Sequence, residues 1–432
     1  MLRIIGVVLM AATCSLAQDV TPAQDVKPVQ DVKPVQEVKP AQDVKAPQDS
    51  KPPQDVKPAQ DDKPAPTIAE LETAAQGLYL HADYEGARQS LAQAWDVAQQ
   101  LPREDPVRYD VLKRLATVRA AVGEYADADN FLQLAISWRE QNLGMDDPKI
   151  PDDVLLSVGY ARSLKDYDRA LLIMNRVLRL HTDAGIKAGA LPRDAMNTIP
   201  VADDFSRIAQ IQMELKKPDA AVGSLNVALE IRTKLLGPLD PSLIYDLDRL
   251  AGIQIMLRQY DKAEETYRHA LVVRETLYGK VHGDLLGTLD GLAYALFGQK
   301  KYDQAEPVYQ RLLALWITSM GTDKHAMVAI ALDKMAVFYA DQKKWDDARA
   351  ATTRANAIRA YLLADGLSVE ASQRIEEGTM AEAVPIYKRA IKILDPPNEV
   401  YDEERATLEN MQKELEKVLN KPPSKSPPPS KK

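Results

Sequence analysis

One small residue, returning at a nearly fixed interval, constrains this chain more than any other feature. Alanine stands at Ala87, Ala128, Ala170, Ala221, Ala263, Ala305, Ala348 and Ala383. Four residues after each comes a larger side chain (Leu91, Leu132, Met174, Leu225, Tyr267, Tyr309, Thr352, Tyr387). Three further on stands Ala94, Ala135, Val177, Ala228, Ala270, Leu312, Ala355 or Ala390. Offsets of four and three put all of these on one helical face. A small residue at a crossing lets two helices approach, and a bulky neighbour one turn away fills the space beside it. Three residues before each alanine the chain carries Tyr84, Tyr125, Tyr167, Tyr260, Tyr302 or Trp345, with Pro218 and Met380 in the two departing copies. Gly123 and Gly378 supply tight turns just ahead of that position. The stretch from Arg258 to Gly321 holds the best-preserved pair of copies, forty-two residues apart. A period of this size predicts stacked helical hairpins instead of one globular core.

Length alone, 432 residues, would suggest two or three domains, but a repeat array uses the same length as one continuous body. Abundant Ala, Leu, Glu, Lys and Gln, with only 4 Phe, favour helix, and no alternating apolar segment marks a strand. The pattern resembles the tetratricopeptide repeat, and more narrowly the longer repeat of kinesin light chains. The first helices match as Leu115-Ala116, Ile208-Ala209, Leu250-Ala251, Leu292-Ala293 and Met335-Ala336. Gly144, Gly237, Gly279 and Gly321 read as glycines just past helix ends, and Asp147-Pro148 and Asp240-Pro241 as helix starts. The resemblance covers about residues 67–395. It implies an all-α, right-handed superhelical solenoid of about eight helix pairs with a C-terminal capping helix.

Two intervals depart from the period. The marker alanines are 41, 42, 51, 42, 42, 43 and 35 residues apart. The extra residues fall within 181–200, where Gly185, Gly189, Pro192 and Pro200 predict a loop projecting from the array. After the short last unit, a charged helix over 398–420 carries Leu408, Met411, Leu415 and Val418 as one apolar stripe, as a cap requires.

Outside the repeats the chain changes character. Residues 1–17 have Arg3, an apolar run over 4–12 and a small-x-small site ending at Ala17, the pattern of a secretory signal. The same stretch resembles a bacterial lipoprotein signal, in which Cys14, the only cysteine, would be lipidated; both readings stay open. Residues 18–66 repeat a hexapeptide, mostly QDVKPx, eight times and read as a disordered, polyproline-prone spacer. Thr67-Ile68-Ala69-Glu70 is a capping box that opens the folded body, 67–420, and residues 421–432 form a Pro/Ser/Lys tail. The body carries −11 of formal charge, which argues against nucleic acid as partner. The pattern places the protein outside the cytoplasm: bacterial periplasm, cell envelope or secreted.

The five histidines show no metal-ligand spacing, and no phosphate loop or nucleophile elbow occurs. The chain reads as non-enzymatic, without a cofactor. Its sharper signal is an aspartate two residues before the Leu-Ala or Met-Ala pair: Asp248, Asp290 and Asp333. Aspartate is a poor mid-helix residue and too far inside to cap. By the resemblance, this helix lines a concave groove where kinesin light chains commonly hold a peptide backbone with asparagine. Asp248, Asp290 and Asp333 would then form an acidic ladder that accepts peptide N–H groups or attracts Lys and Arg, unless each pairs with a base of the array. Ser206 and Lys113 interrupt it. Tyr245, Gln210, Met213, Tyr294 and Phe297 fall on the same expected face, as pocket or as core. Two functions fit: an exported scaffold binding a peptide segment of another envelope or secreted protein, a basic one favoured; or a structural or assembly subunit of an envelope complex, with membrane attachment only through Cys14.

Overall fold

The computed structural model describes residues 66–420, apart from 397 and 399; the signal, spacer and tail lie outside the described residues. Those residues are helical throughout, with no strand among them. Seven hairpins follow one another: α1 (Ile68–Leu80) with α2 (Tyr84–Ala98), α3 (Val107–Ala121) with α4 (Tyr125–Asn142), α5 (Ile150–Ser163) with α6 (Tyr167–Lys187). A short turn of helix, α7 (Pro192–Ala195), precedes α8 (Ile199–Glu214) with α9 (Pro218–Leu236) and α10 (Ile244–Met256) with α11 (Tyr260–Tyr278). Then come α12 (Leu286–Gly298) with α13 (Tyr302–Met320), and α14 (Ala326–Asp341) with α15 (Trp345–Glu376). Last are α16 (Met380–Ile393) and α17 (Asp402–Leu419).

Each helix packs on its neighbours in sequence, so the body is an all-α solenoid. The capping box forms as the sequence demands, with the Thr67 amide donating to Glu70 Oε2 at 2.8 Å and the Glu70 amide to Thr67 Oγ1 at 3.3 Å. Every second helix starts at the residue three before its marker alanine. All eight hairpin turns share one design. The residue two before that start is left-handed: Gly123 and Gly378, but also Ala82, Lys165, Lys216, Arg258, Lys300 and Lys343, with φ of 57–61°. The next amide donates back five residues, as from Lys301 to the Leu296 carbonyl at 2.9 Å, which satisfies a helix-end carbonyl. That bond holds six side-chain-bearing residues where glycine would be cheaper.

Seven of the marker alanines are fully buried; Ala348 keeps 9% of its surface. The side chain two residues after the Leu-Ala pair carries each hairpin onto the one before. Phe338, fully buried, meets Phe297 and Tyr302 with ring centroids 6.0 Å away and Tyr309 at 5.1 Å, a burial that stabilises by about 2–3 kcal/mol.

Three expectations change. The extra residues of 181–200 do not project as a loop. They lengthen α6 and fold α7 back on it, with Ala195 fully buried against Gly185 and the Thr182 hydroxyl 3.4 Å from the Met196 sulfur. The eighth unit has no separate first helix, because α15 runs unbroken for 32 residues and serves as second helix of unit seven and first helix of unit eight. The interval of 35 explains it: relative to 42, seven residues are missing, which is about two helical turns, so the inter-unit turn disappears and the apolar stripe stays in phase. In α17, Leu408 and Leu415 are buried but Met411 and Val418 are exposed; Tyr401, ahead of the helix, is buried in their stead.

Candidate functional site

Registers can be counted from the Leu-Ala pair of each first helix. In units one to seven the position two before the leucine or its equivalent is held by Glu72, Lys113, Leu155, Ser206, Asp248, Asp290 and Asp333. The three aspartates sit in α10, α12 and α14, with side chains 39%, 38% and 42% exposed. None is bare. Asp248 accepts from Arg274 of α11, whose Nη1 also donates to Thr288 of α12 at 2.7 Å. Asp290 accepts from Lys334 of α14 at 2.6 Å on both oxygens, and Asp333 from Arg359 of α15. The row therefore alternates acid and base.

Of the remaining expected residues, Tyr245 is 62% exposed, with the Arg249 guanidinium 5.2 Å from its ring centroid, and Tyr294 is 47% exposed. Phe297 is half-buried against Phe338 and Tyr302, and Met213 packs on the cluster around Leu250. Gln210 is half-buried. Tyr245 and Tyr294 thus face solvent beside the aspartates, while Phe297 and Met213 serve the core.

Two hollows lie on this face. A cleft of about 90 Å³ between α12 and α14 is lined by Gly287, Asp290, Trp316, Ile330 and Lys334. A larger one, about 310 Å³, opens at α1 and α3 between Glu72, Gln76, Tyr79, Lys113, Arg114 and Thr117. Glu72 and Lys113 occupy the register of Asp248, and Gln76 and Thr117 that of Tyr294, so units one and two present different side chains at the same positions. Sequence reasoning missed this hollow because it took Lys113 as an interruption of the acidic row and did not carry the register back to Glu72.

A second ladder, inside the joints, was also missed. Four residues before the leucine, Asp153, Asp204 and Asp246 are at most 1% exposed, and Thr288 holds the next place. Eleven residues after the marker alanine of the preceding unit stand Arg139, His181, Arg232 and Arg274. Arg139 lies 3.3 Å from Asp153, His181 Nδ1 2.6 Å from Asp204, and Arg232 bonds Asp246. Tyr109 and Lys113 complete the shell of Asp153 at 2.9 and 2.7 Å. Burial pushes the Asp246 carboxyl up, against Arg232 and Ser206, which pull it down. The signal was present as acid and base at fixed offsets, but only the fold shows that they share a joint.

Glu264 makes a third kind of joint. Burial raises its carboxyl, but Lys301, Arg268 and Gln299, the first and last at 2.8 and 2.9 Å, outweigh it and hold the group at about 2. Its ordinary value is 4.5, so its stabilisation is complete above about pH 4.5 and is lost as pH falls towards 2. We expect Glu264→Gln to lower the urea midpoint at pH 7 and to flatten its fall between pH 4.5 and 2; an unchanged acid limb would exclude this assignment.

Among the described residues no group of His, Cys, Asp and Glu could hold a metal ion, and no helix is long and apolar enough to cross a membrane. The geometry defines a class, the α-solenoid of tandem helical hairpins. Residues 284–360, spanning units six and seven, match the family model of the tetratricopeptide repeat, so this chain carries tetratricopeptide repeats. Similar solved structures include BtubC (BKLC) from P. vanneervenii, at 21% identity over 55% of this chain and 92% of that one, TM-score 0.42. Another is the C-terminal part of a TPR repeat-containing protein from Cytophaga hutchinsonii, at 16% identity over 67% of this chain and 95% of that one, TM-score 0.46. A third is a tetratricopeptide repeat protein from Parabacteroides merdae, at 17% identity over 69% and 98%, TM-score 0.39. Comparison with curated proteins gave no match.

Proposed function

We propose that the body is a non-enzymatic, protein-binding scaffold whose first-helix face holds a peptide segment of a partner protein. Tetratricopeptide repeats generally mediate protein–protein interaction, and the observation that supports a site here is the row Asp248, Asp290 and Asp333. These carboxylates are part-exposed at one register, next to exposed Tyr245 and Tyr294. Each carboxylate already accepts from one base and keeps lone pairs for a second donor. A peptide Lys or Arg can share it, while the peptide backbone can accept from Lys334 or Arg249. The net charge of the body favours a basic segment. The amino-terminal sequence supports export, with the spacer holding the body away from its attachment or leaving it free.

Charge reversal would set Lys against Arg274, Lys334 and Arg359, so the test is the isosteric triple variant D248N/D290N/D333N. Fluorescence anisotropy with labelled lysine-rich, neutral and acidic 14-residue peptides should show a preference for the first that falls about tenfold in the variant. Equal binding of all three peptides by both proteins would exclude the site. Mass measurement of the mature amino terminus tests export: a start at residue 18 or a lipidated Cys14 agrees, and retained Met1 does not.

A further inference from the structure

The fusion of α15 leaves a gap in the stacking. At each of six junctions an incoming first helix seats one side chain, two after its Leu-Ala pair, on the hairpin before it: Val118, Tyr160, Ile211, Ile253, Ala295 and Phe338. Five are buried, and Tyr160 lies 6.2 Å from the Tyr125 ring. Unit seven receives no such helix. Its seam, between the end of α14 and the start of α15, is an open hollow of about 580 Å³ lined by Ala336, Val337, Ala340, Trp345, Arg349 and Thr352. Trp345 and Val337 are 61% and 55% exposed, although Tyr302, the counterpart of Trp345, is covered by Phe338.

The charge beside the seam, at the residue after the marker alanine, is also inverted relative to three of the six joints, while Arg88 holds that position in unit one and Leu171 and Val222 in units three and four. The residue after the marker alanine is Asp129, Glu264 or Glu306 at three junctions, and each meets the incoming hairpin. Asp129 bonds Ser157 and Arg169, Glu264 bonds Lys301, and Glu306 accepts from Tyr339 at 3.1 Å and Lys344 at 3.4 Å. In unit seven that position is Arg349, exposed and without an acid partner among the described residues.

We propose that this seam docks an α-helix of another protein, one bearing an exposed apolar side chain near its C-terminus and, six residues on in the turn that follows the helix, a carboxylate for Arg349. The occupant is argued from the six joints that the seam continues and from the charge it offers. A second copy of this chain does not fit: its unoccupied first-helix positions at this register are Gly77 and Gln373, which carry no apolar knob. The spacer and tail, broken by proline every few residues, cannot supply the helix.

The probe is a peptide of residues 326–344, which carries Phe338, held helical over 326–341 by a lactam bridge on its polar face and made with Lys344 or with Lys344→Glu. Anisotropy titration against the full chain should show the Lys344→Glu peptide binding about fivefold tighter. Arg349→Glu in the protein should reverse that order, and Val337→Asp should abolish binding of both, with the thermal midpoint unchanged because both residues are exposed. Absence of binding, or an order that Arg349→Glu does not reverse, overturns the proposal. A concentration-dependent dimer in light scattering that Val337→Asp dissolves would assign the seam to a second copy and overturn it as well.

Discussion

Replacing Arg232 by leucine should destabilise the body by about 3–5 kcal/mol at pH 7, the cost of leaving a buried charge without its partner. Arg232 is 7% exposed and Asp246 1% exposed, and they join α9 to α10. The guanidinium also donates to Ser206 Oγ at 3.1 Å and to Asp203 at 2.5 Å. Without it, Asp246 keeps only the Ser206 hydroxyl, 2.9 Å away, and its second oxygen has no partner even now. The deficit should depend on pH in a definite direction. Burial already raises this carboxyl, and loss of Arg232 raises it further, so the folded variant takes up a proton more readily than the unfolded chain. Stability of the variant therefore recovers as pH falls, the reverse of a salt-bridged carboxylate. Urea titrations at pH 7 and 5 read this directly. The double variant R232L/D246L should regain most of the loss, because an apolar pair needs no compensation. A deficit equal at both pH values, with no recovery in the double variant, would remove the pair from the joint.

Gly291→Ala should lower the thermal midpoint even though alanine is the better helix former by about 1 kcal/mol. Gly291 lies inside α12, where a methyl group would stand 2.2 Å from Tyr267 Cζ and 2.6 Å from both Cε atoms. Tyr267 occupies the bulky position of its unit, and the missing side chain on α12 is the hole that receives it. Burial pushes its hydroxyl up to about 12, with Asp248 and Asp290 adding to the rise. The ring must leave, and overpacking of this kind costs about 1–3 kcal/mol net. Leucine fills the same position in units one, two and four, so Tyr267→Leu should make Gly291→Ala harmless or stabilising. The double-mutant cycle measures that coupling, and additivity would show that ring and glycine do not meet. Gly298 repeats the arrangement, with Tyr260 Cδ1 at 2.7 Å from the position of an added methyl.

Why the hairpins were legible and the joints were not is a matter of distance along the chain. An alanine, its knob and the residue that starts the helix lie within a dozen positions, and their periodicity reports one helix face. The turns were legible at Gly123 and Gly378, but Lys300 and Lys343 adopt the same left-handed turn with nothing in their chemistry to announce it. Asp153, Asp204 and Asp246 read as ordinary polar positions on an amphipathic helix; their burial follows from a base on the preceding hairpin, which sequence order leaves unassigned. The exposed aspartates carried the opposite lesson. Their register was visible, but the bases of the array that hold them, 26 residues on for Asp248 and Asp333 and 44 for Asp290, were not. Composition gave no hint that 181–200 would fold back, because Gly and Pro mark a break in helix without saying what the next turn packs on.

The unbroken helix α15 has a mechanical consequence. In a stacked array the border between ordered and melted chain can rest wherever a turn separates two hairpins, since each unit holds only its neighbours. No turn separates units seven and eight, so a border there would have to cut a continuous row of backbone hydrogen bonds. Once α17 has left, units seven and eight, Ala326 to Ile393, must therefore open as one block or stay closed, and the array frays in a double step at this end and in single steps at the other.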